Sequence, residues 1–382
     1  MSEIAYLSHL EEKTAGLHSG LEGIGCGEFS PEIAATPLDG GYRNRVKIKI
    51  FHGPSPIRFV GMDPLEGETA VEDMLWILPL WARETVLGLK DILTIKAEKF
   101  PVDGAELQLC HGREEAHLSL SVKKTQTHTY DELLEDIFEL RPEITGIAIP
   151  SQRMMGGDPY LNHMLLGEDF IAHHAAFFQA NLCMIPRFVN KAVEGVHAFP
   201  FDRIVDVYCG TGLFSLYCGE PALPVTGVDV NPFAVESAER NAALRGFINS
   251  SFHFGSAESF VREFPLEGND LVFLNPPRSG CSSEVLDPLI ESRPGLICMI
   301  SCFPETQLRD LRLRHVPLFR LPRNPRYFGV RPRYYTFTLI AREIKVSRVD
   351  EKPLKHLKEG WHAVFTPNGV KKTALFLERE RV

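Results

Sequence analysis

The chain has 382 residues, a net charge of −9, and 44% hydrophobic and 24% charged residues, which fits a globular protein with room for two domains. Its longest apolar run, "MLWILPLWA" from Met74 to Ala82, is too short for a bilayer and is broken by a proline, so no membrane span is expected. The opening "MSEIAYLSHLEEK" has acids and no apolar core, so it does not read as a signal peptide and a cytoplasmic location is expected.

In chain order, the first elements are mixed. "YRNRVKIKIF" and "IRFVGM" alternate with period two and predict a hairpin. "TAVEDMLWILPLWARETVLGL" predicts a helix, or a helix pair, broken at Pro79. "AELQLCH" and "AHLSLSV" alternate again and should pair. "TYDELLEDIFELR" predicts an amphipathic helix capped near Thr129 or Asp131. Residues 1–160 are therefore expected to form an α+β region with an antiparallel sheet.

The texture then changes. After "FFQANLCMIPRFVNKAVEGV", a helix entry and helix, come strands "RIVDVYC", "LPVTGVDV", "SSFHFG", "DLVFLNPP" and "GLICMISC" with helical segments between them. Continuous apolar strands with helical crossovers imply a parallel sheet buried on both faces. This α/β domain is expected over 161–345, with the segment from Pro317 onward adding antiparallel edge strands. A tail, 346–382, carries Asn368-Gly369, a strong hairpin turn.

Eight cysteines, at 26, 110, 183, 209, 218, 281, 298 and 302, show no CxxC spacing. Free thiols are expected, with no metal or iron–sulfur cluster. The acidic total hides two basic stretches. "YRNRVKIK" holds four basic residues and no acid, and Glu305–Arg333 holds eight arginines against Glu305 and Asp310. Each could be a plain solvated face; arginine among aromatics, as in "RNPRYFGVRPRYY", fits contacts to phosphate and bases.

Ligands of open α/β sheets bind outside the carboxyl ends of the strands, and special residues gather there. The first parallel strand ends in "DVYCGTG", whose Gly210 and Gly212 permit close backbone approach. Leu213 and Phe214 follow, against the G-x-G-x-x-G of a dinucleotide site. The second strand ends at Asp229, 19 residues after Gly210, the offset of an acid that accepts ribose hydroxyls; Asn231 is the better helix cap. Together they predict a nucleoside-type cofactor. The fourth strand ends in the stiff turn "NPPRSG", from Asn275 to Gly280. The fifth ends at Cys302, placed for chemistry, whereas Cys298 reads as packing. A nucleoside cofactor beside a thiol suggests group transfer.

These residues carry a resemblance. "DVYCGTGLFSL", "GVDVNPFAVESAERNA", "LVFLNPPRSG" and "ISCFPETQLRDL", with "FFQAN" before them and "YRNRVKIKI" earlier, are similar to the RNA uracil-C5 methyltransferases. The resemblance implies a Rossmann-like class I methyltransferase domain, an N-terminal α+β RNA-binding domain, S-adenosyl-L-methionine as cofactor and a tRNA or rRNA uridine as target, in a monomer. It implies that Gln179, Tyr208, Gly210, Gly212, Asp229 and Asn275 contact cofactor or target base, that Arg43 and Arg278 contact RNA, and that Cys302 is the nucleophile. Two positions depart from the family pattern. Phe303 stands where relatives have asparagine, and Tyr335 stands where they have the glutamate that removes a proton. Tyrosine, with a pKa of about 10, is a poor base unless shifted. Two other readings remain open: an amino-group methyltransferase, which also uses Asn-Pro-Pro, and a non-catalytic RNA-binding protein that keeps the fold.

Overall fold

The computed structural model describes residues 14–23, 33–34, 40–53, 56–63, 67–123, 129–197, 199–292, 294–301, 304–312, 337–341, 363–364 and 373–375. Its contacts divide into two compact units, Leu38–Leu182 and Met1–Pro37 with Cys183–Val382.

The first unit is built on an antiparallel hairpin, β1 (Arg45–Phe51) and β2 (Arg58–Asp63), with Lys49 opposite Val60. The period-two pattern does what it predicts: Val46, Ile48 and Ile50 are buried, while Lys47, Lys49 and Phe51 face out. β3 (Gly67–Ala70) extends one edge. On the other side lie β4 (Gly104–Leu109), β5 (Ala116–Ser121), β6 (Ile144–Ile149) and β7 (Met154–Gly157), giving the order β3-β2-β1-β4-β5-β6-β7. Only β5 and β6 run parallel, with an irregular register at Ala116/His117. Helix α1 (Leu80–Ile95) starts directly after Pro79, as the sequence break implies, and buries Ala82, Val86, Leu89, Ile92 and Leu93.

Helix α2 (Asp131–Leu140) packs on β6 and buries Leu133, Leu134 and Ile137. Its cap corrects the expectation of Thr129 or Asp131. Tyr130 is the N-cap and no side chain caps the helix. The Tyr130 ring is buried against Phe100, and its hydroxyl donates to the Pro101 carbonyl at 3.2 Å, so core packing sets this helix start. A hairpin the sequence pattern did not announce, β8 (Tyr160–Leu165) and β9 (Glu168–His173), follows. It belongs to the first unit: His111 N–H donates to His163 Nδ1 at 2.9 Å and Met164 N–H to the His111 carbonyl at 2.7 Å. The boundary expected at residue 160 falls inside this unit.

The second unit is the α/β layer structure. Helix α3 (Ile185–His197) leads into β10 (Arg203–Val207), α4 (Leu213–Cys218), β11 (Val225–Asp229), α5 (Pro232–Leu244) and β12 (Ser250–Phe254). Then come α6 (Ala257–Glu263), β13 (Asp270–Leu274), α7 (Ser283–Ser292), β14 (Leu296–Ser301) and α8 (Pro304–Arg312). The parallel strands stand in the order β14-β13-β10-β11-β12, and β15 (Phe337–Ala341) joins β14 antiparallel, as expected for the edge. Two further short strands, β16 (Ala363–Val364) and β17 (Thr373–Leu375), pair antiparallel; Asn368-Gly369 lies outside the described residues.

Every residue of β13 is buried, as expected of a central strand covered on both faces. Its register is pinned by charge: Asp270, 2% exposed, takes two hydrogen bonds from the Arg203 guanidinium at 2.9 and 2.6 Å, and the two residues face each other across the β10–β13 pair. One sheet face packs Val205, Val207, Val228, Val272, Leu274 and Met299 against α6, α7 and the helix at residues 14–22. Each such fully buried aliphatic side chain is worth about 1.5–3 kcal/mol. Cys298 is fully buried in β14, the packing role expected of it.

Candidate active site

The carboxyl edge of the parallel sheet holds a tight loop between β10 and α4. Tyr208, Gly210 and Gly212 all have positive φ, at 67°, 55° and 78°. Glycine adopts this region freely, but tyrosine does so at about 1–2 kcal/mol. Strain held at a strand end is a mark of a functional loop. The loop is fastened from below: Gly212 N–H donates to the Cys209 carbonyl at 3.0 Å, and the buried Asn241 amide on α5 donates to the Thr211 carbonyl at 3.0 Å. The two glycines do different work. A Cβ at Gly212 would stand 2.9 Å from Leu216 Cδ1, whereas a Cβ at Gly210 would meet nothing within 4 Å. Gly210 therefore presents bare backbone to open space.

Asp229, the last residue of β11, faces that loop. Its Oδ2 accepts the Gly210 N–H at 2.9 Å and its Oδ1 accepts the Asn231 N–H at 2.9 Å. Both oxygens are used once, which leaves a lone pair on each for a further donor. Asn231, not Asp229, caps α5, its side chain accepting the Phe233 N–H at 3.0 Å, as the sequence implies. Changing Asp229 to Ala removes two charge-assisted acceptors and any bond to a ligand, about 1.5–3 kcal/mol for each. S-adenosylmethionine affinity measured by calorimetry is expected to fall by about 100-fold; an unchanged dissociation constant would remove Asp229 from the cofactor site.

Two residues beside Asp229 were missed by the sequence reading. Val230 is 66% exposed and Phe254, which pairs with Asp229 across β11–β12, is 68% exposed. Large apolar side chains left bare beside a polar acceptor suit a flat heteroaromatic ring. The signal was present in "VDVNP", an apolar residue directly after the acid and outside the strand's buried run.

Asn275 opens the loop after β13. It is half-buried, and its N–H donates to the Val207 carbonyl at 3.2 Å. That bond sets the Asn-Pro-Pro turn beside the Tyr208 loop. Pro276 is buried, while Pro277 and Arg278 are exposed. The structure thus brings Tyr208, Gly210, Gly212, Asp229 and Asn275 to one edge. Gln179 and Arg43 belong to the first unit, where the Gln179 carbonyl accepts from the Asn44 amide at 2.7 Å and Arg43 Nε donates to the Arg45 carbonyl at 2.8 Å. Cys302, Phe303 and Tyr335 lie outside the described residues; Ser301, before Cys302, ends β14, and Pro304 begins α8.

The described cysteines are free thiols, among them Cys110, Cys183 and Cys281. Burial pushes Cys110 up to about 12 and Cys183 up to about 11, and raises Cys209, Cys218, Cys281 and Cys298 as well. Each stays protonated at neutral pH. Among the described residues no group of three or more His, Cys, Asp or Glu could hold a metal ion, and no helix is long and apolar enough to cross a membrane.

Comparison with known proteins agrees with this geometry. Residues 200–309 match the family described as "Methyltransferase domain". An uncharacterized RNA methyltransferase of Oceanobacillus iheyensis is 30% identical over 197 residues, 48% of this chain and 43% of the relative. One of Lactobacillus johnsonii is 33% identical over 162 residues, 42% of this chain and 36% of the relative. The matched stretch spans less than half the length of these relatives. Among solved structures, the tRNA (uracil-54, C5)-methyltransferase of Pyrococcus abyssi, in complex with S-adenosyl-L-homocysteine, shares the fold with a TM-score of 0.63 at 24% identity, over 81% of this chain and 76% of that one. Residues 200–309 are a methyltransferase domain of the Rossmann-like class I fold, in a chain similar to RNA methyltransferases.

Proposed function

We propose that the protein is an S-adenosylmethionine-dependent RNA methyltransferase that methylates C5 of a uridine in tRNA or rRNA through a covalent cysteine adduct. The observation that carries the reading is the Asp229 bridge to the Gly210 N–H, at the carboxyl edge of a class I methyltransferase sheet. The residues fit the cofactor. Gly210 backbone lies open for close approach, Asp229 keeps acceptor capacity for ribose hydroxyls, and Val230 and Phe254 offer apolar surface to an adenine. When bound, S-adenosylmethionine supplies an electrophilic methyl group on a sulfonium.

The chain's own residues would supply the rest. Uracil C5 is a weak nucleophile; addition of the Cys302 thiolate to C6 turns C5 into an enolate carbon that can attack the methyl. The C5 proton must then leave so that the Cys302–C6 bond can break, a task assigned to Tyr335 or a water it orients. Asn275, fixed by its bond to the Val207 carbonyl, would hold the base, and Arg278 a phosphate. The first unit would hold RNA on the outward side of β1. There Arg43, Arg45, Lys47 and Lys49 line a pocket of 340 Å³ with Val60, Met62 and Met74. Glu106 and Glu68 pair with Arg45, Lys47 and Lys49 and leave the lining a net cationic surface.

The test is incubation of the protein with 5-fluorouridine-containing RNA and methyl-labelled S-adenosylmethionine. Fluorine at C5 cannot leave as a proton does, so the cysteine–C6 bond persists. A labelled protein–RNA adduct that survives denaturation is expected. RNA methylated without an adduct would point to an amino-group target, and RNA binding without methyl transfer to a non-catalytic protein.

A further inference from the structure

The strand end carrying the proposed nucleophile is tied to the Asn275 loop by one buried acid. Asp310 lies on α8, the helix that begins two residues after Cys302, and is 2% exposed. Its Oδ2 accepts the Cys281 N–H at 2.8 Å, at the far end of the loop that Asn275 opens. Its Oδ1 accepts the Arg309 Nε–H at 2.8 Å, and Arg309 Nη2 also donates to the Ser279 carbonyl at 2.8 Å. Between them sits Gly280, at φ +79°, where an added Cβ would fall 2.5 Å from both Arg309 Nη2 and Asp310 Oδ2. Only glycine fits so close to this pair.

The knot reaches the third strand end as well. The Tyr208 ring packs against the cluster that holds Cys281. At the other end of the same loop, Asn275 N–H bonds Val207. A second bond holds α8 to its strand: the buried Gln307 amide donates to the Met299 carbonyl at 3.2 Å. Burial raises the Asp310 carboxyl above its ordinary range, opposed by the Cys281 N–H and Arg309. A buried acid with both oxygens committed to backbone and guanidinium is a costly feature to keep for stability alone.

We propose that Asp310 is a positioning residue for methyl transfer: it clamps the 275–281 loop to the helix following Cys302, so that target-base loop and nucleophile share one geometry. The inference rests on the reading of Cys302 as nucleophile. Asp310→Ala frees the loop, and a displacement of about 1 Å at the reacting atoms costs about 100-fold in rate. Asp310→Asn keeps an oxygen for the Cys281 N–H.

The experiment measures the rate of adduct formation on 5-fluorouridine RNA together with the S-adenosylmethionine dissociation constant. For Asp310→Ala the adduct rate is expected to fall by about 100-fold with the dissociation constant held within about threefold, and Asp310→Asn is expected to recover most of the rate. Equal rates for Asp310→Ala and wild type would overturn the proposal, as would loss of rate and affinity together with no recovery in Asp310→Asn. If wild type forms no adduct, the nucleophile reading fails and the clamp is read by hydrogen exchange. Asp310→Ala must then raise exchange in both 275–281 and 304–312, and unchanged exchange in either overturns it.

Discussion

Cys302→Ala is expected to abolish methyl transfer to RNA, by at least about 10³-fold, and to eliminate the 5-fluorouridine adduct while S-adenosylmethionine still binds. Removal of a covalent nucleophile takes away a reaction route rather than one interaction, which is why such losses are large, on the order of 10⁶-fold in well-studied hydrolases. The described thiols offer no substitute. Cys298, four residues earlier, is fully buried in β14, and Cys281, across the Asn275 loop, is held protonated by burial. Serine at 302 is not expected to rescue, because a hydroxyl stays protonated where a thiol can ionise. Cofactor affinity is expected to hold because the Gly210–Asp229 bridge joins the loop after β10 to the end of β11, away from β14. Full methylation by Cys302→Ala, measured by transfer of label to RNA, would move the protein to the amino-group class.

The parallel half of the molecule was legible because its signals are local. "RIVDVYC", "LPVTGVDV" and "DLVFLNPP" are apolar throughout, and strands appear at Arg203–Val207, Val225–Asp229 and Asp270–Leu274, each within a few residues of the expectation. Asn231 announces its own cap by identity. The β8–β9 hairpin was not legible. "YLNHML" and "EDFIAH" mix His and acids into the strand pattern, and the turn between them needs Leu166 at φ 52° before Gly167, a conformation leucine does not advertise. At the site, the glycine loop, the acid and Asn-Pro-Pro each show in a few consecutive letters. The Asp310–Cys281 bond joins residues 29 apart, and no spacing rule picks Asp310 from the other acids. Its burial became visible only once α8 was laid against the loop.

The first unit is expected to lose stability steeply below pH 6.5, because it buries imidazoles in their neutral form. His117 is 1% exposed, and neither of its ring nitrogens has a hydrogen-bond partner. It stacks on His174 at 4.1 Å between centroids, and His173 lies 4.6 Å from His174. Burial, then the neighbouring histidines, pushes His117 down to about 3. Burial likewise takes His163 down to about 3 and His174 to about 4, the latter with Glu106 opposing and Arg45 assisting the shift. A base whose folded pKa lies below its unfolded value of 6.5 binds its proton first in the unfolded chain. Stability is therefore whole above pH 6.5 and is lost as pH falls from there towards the folded values. Each fully buried ring contributes about 1.4 kcal/mol of loss at pH 5.5, and half-buried His174 less, so the unit should lose about 3 kcal/mol. That is a large part of the 5–15 kcal/mol that holds a typical domain together. Two of the three tryptophans, Trp76 and Trp81, lie in this unit and Trp361 in the other, so in a Trp361→Phe background tryptophan fluorescence during urea unfolding reports the first unit. The urea midpoint is expected to drop between pH 7.5 and 5.5, and His117→Phe, which keeps a flat ring and removes one titrating group, should flatten the dependence by about one proton. A midpoint that does not move with pH would mean that these rings are charged in the folded protein, which the stacked, unpartnered His117 gives no means to accommodate.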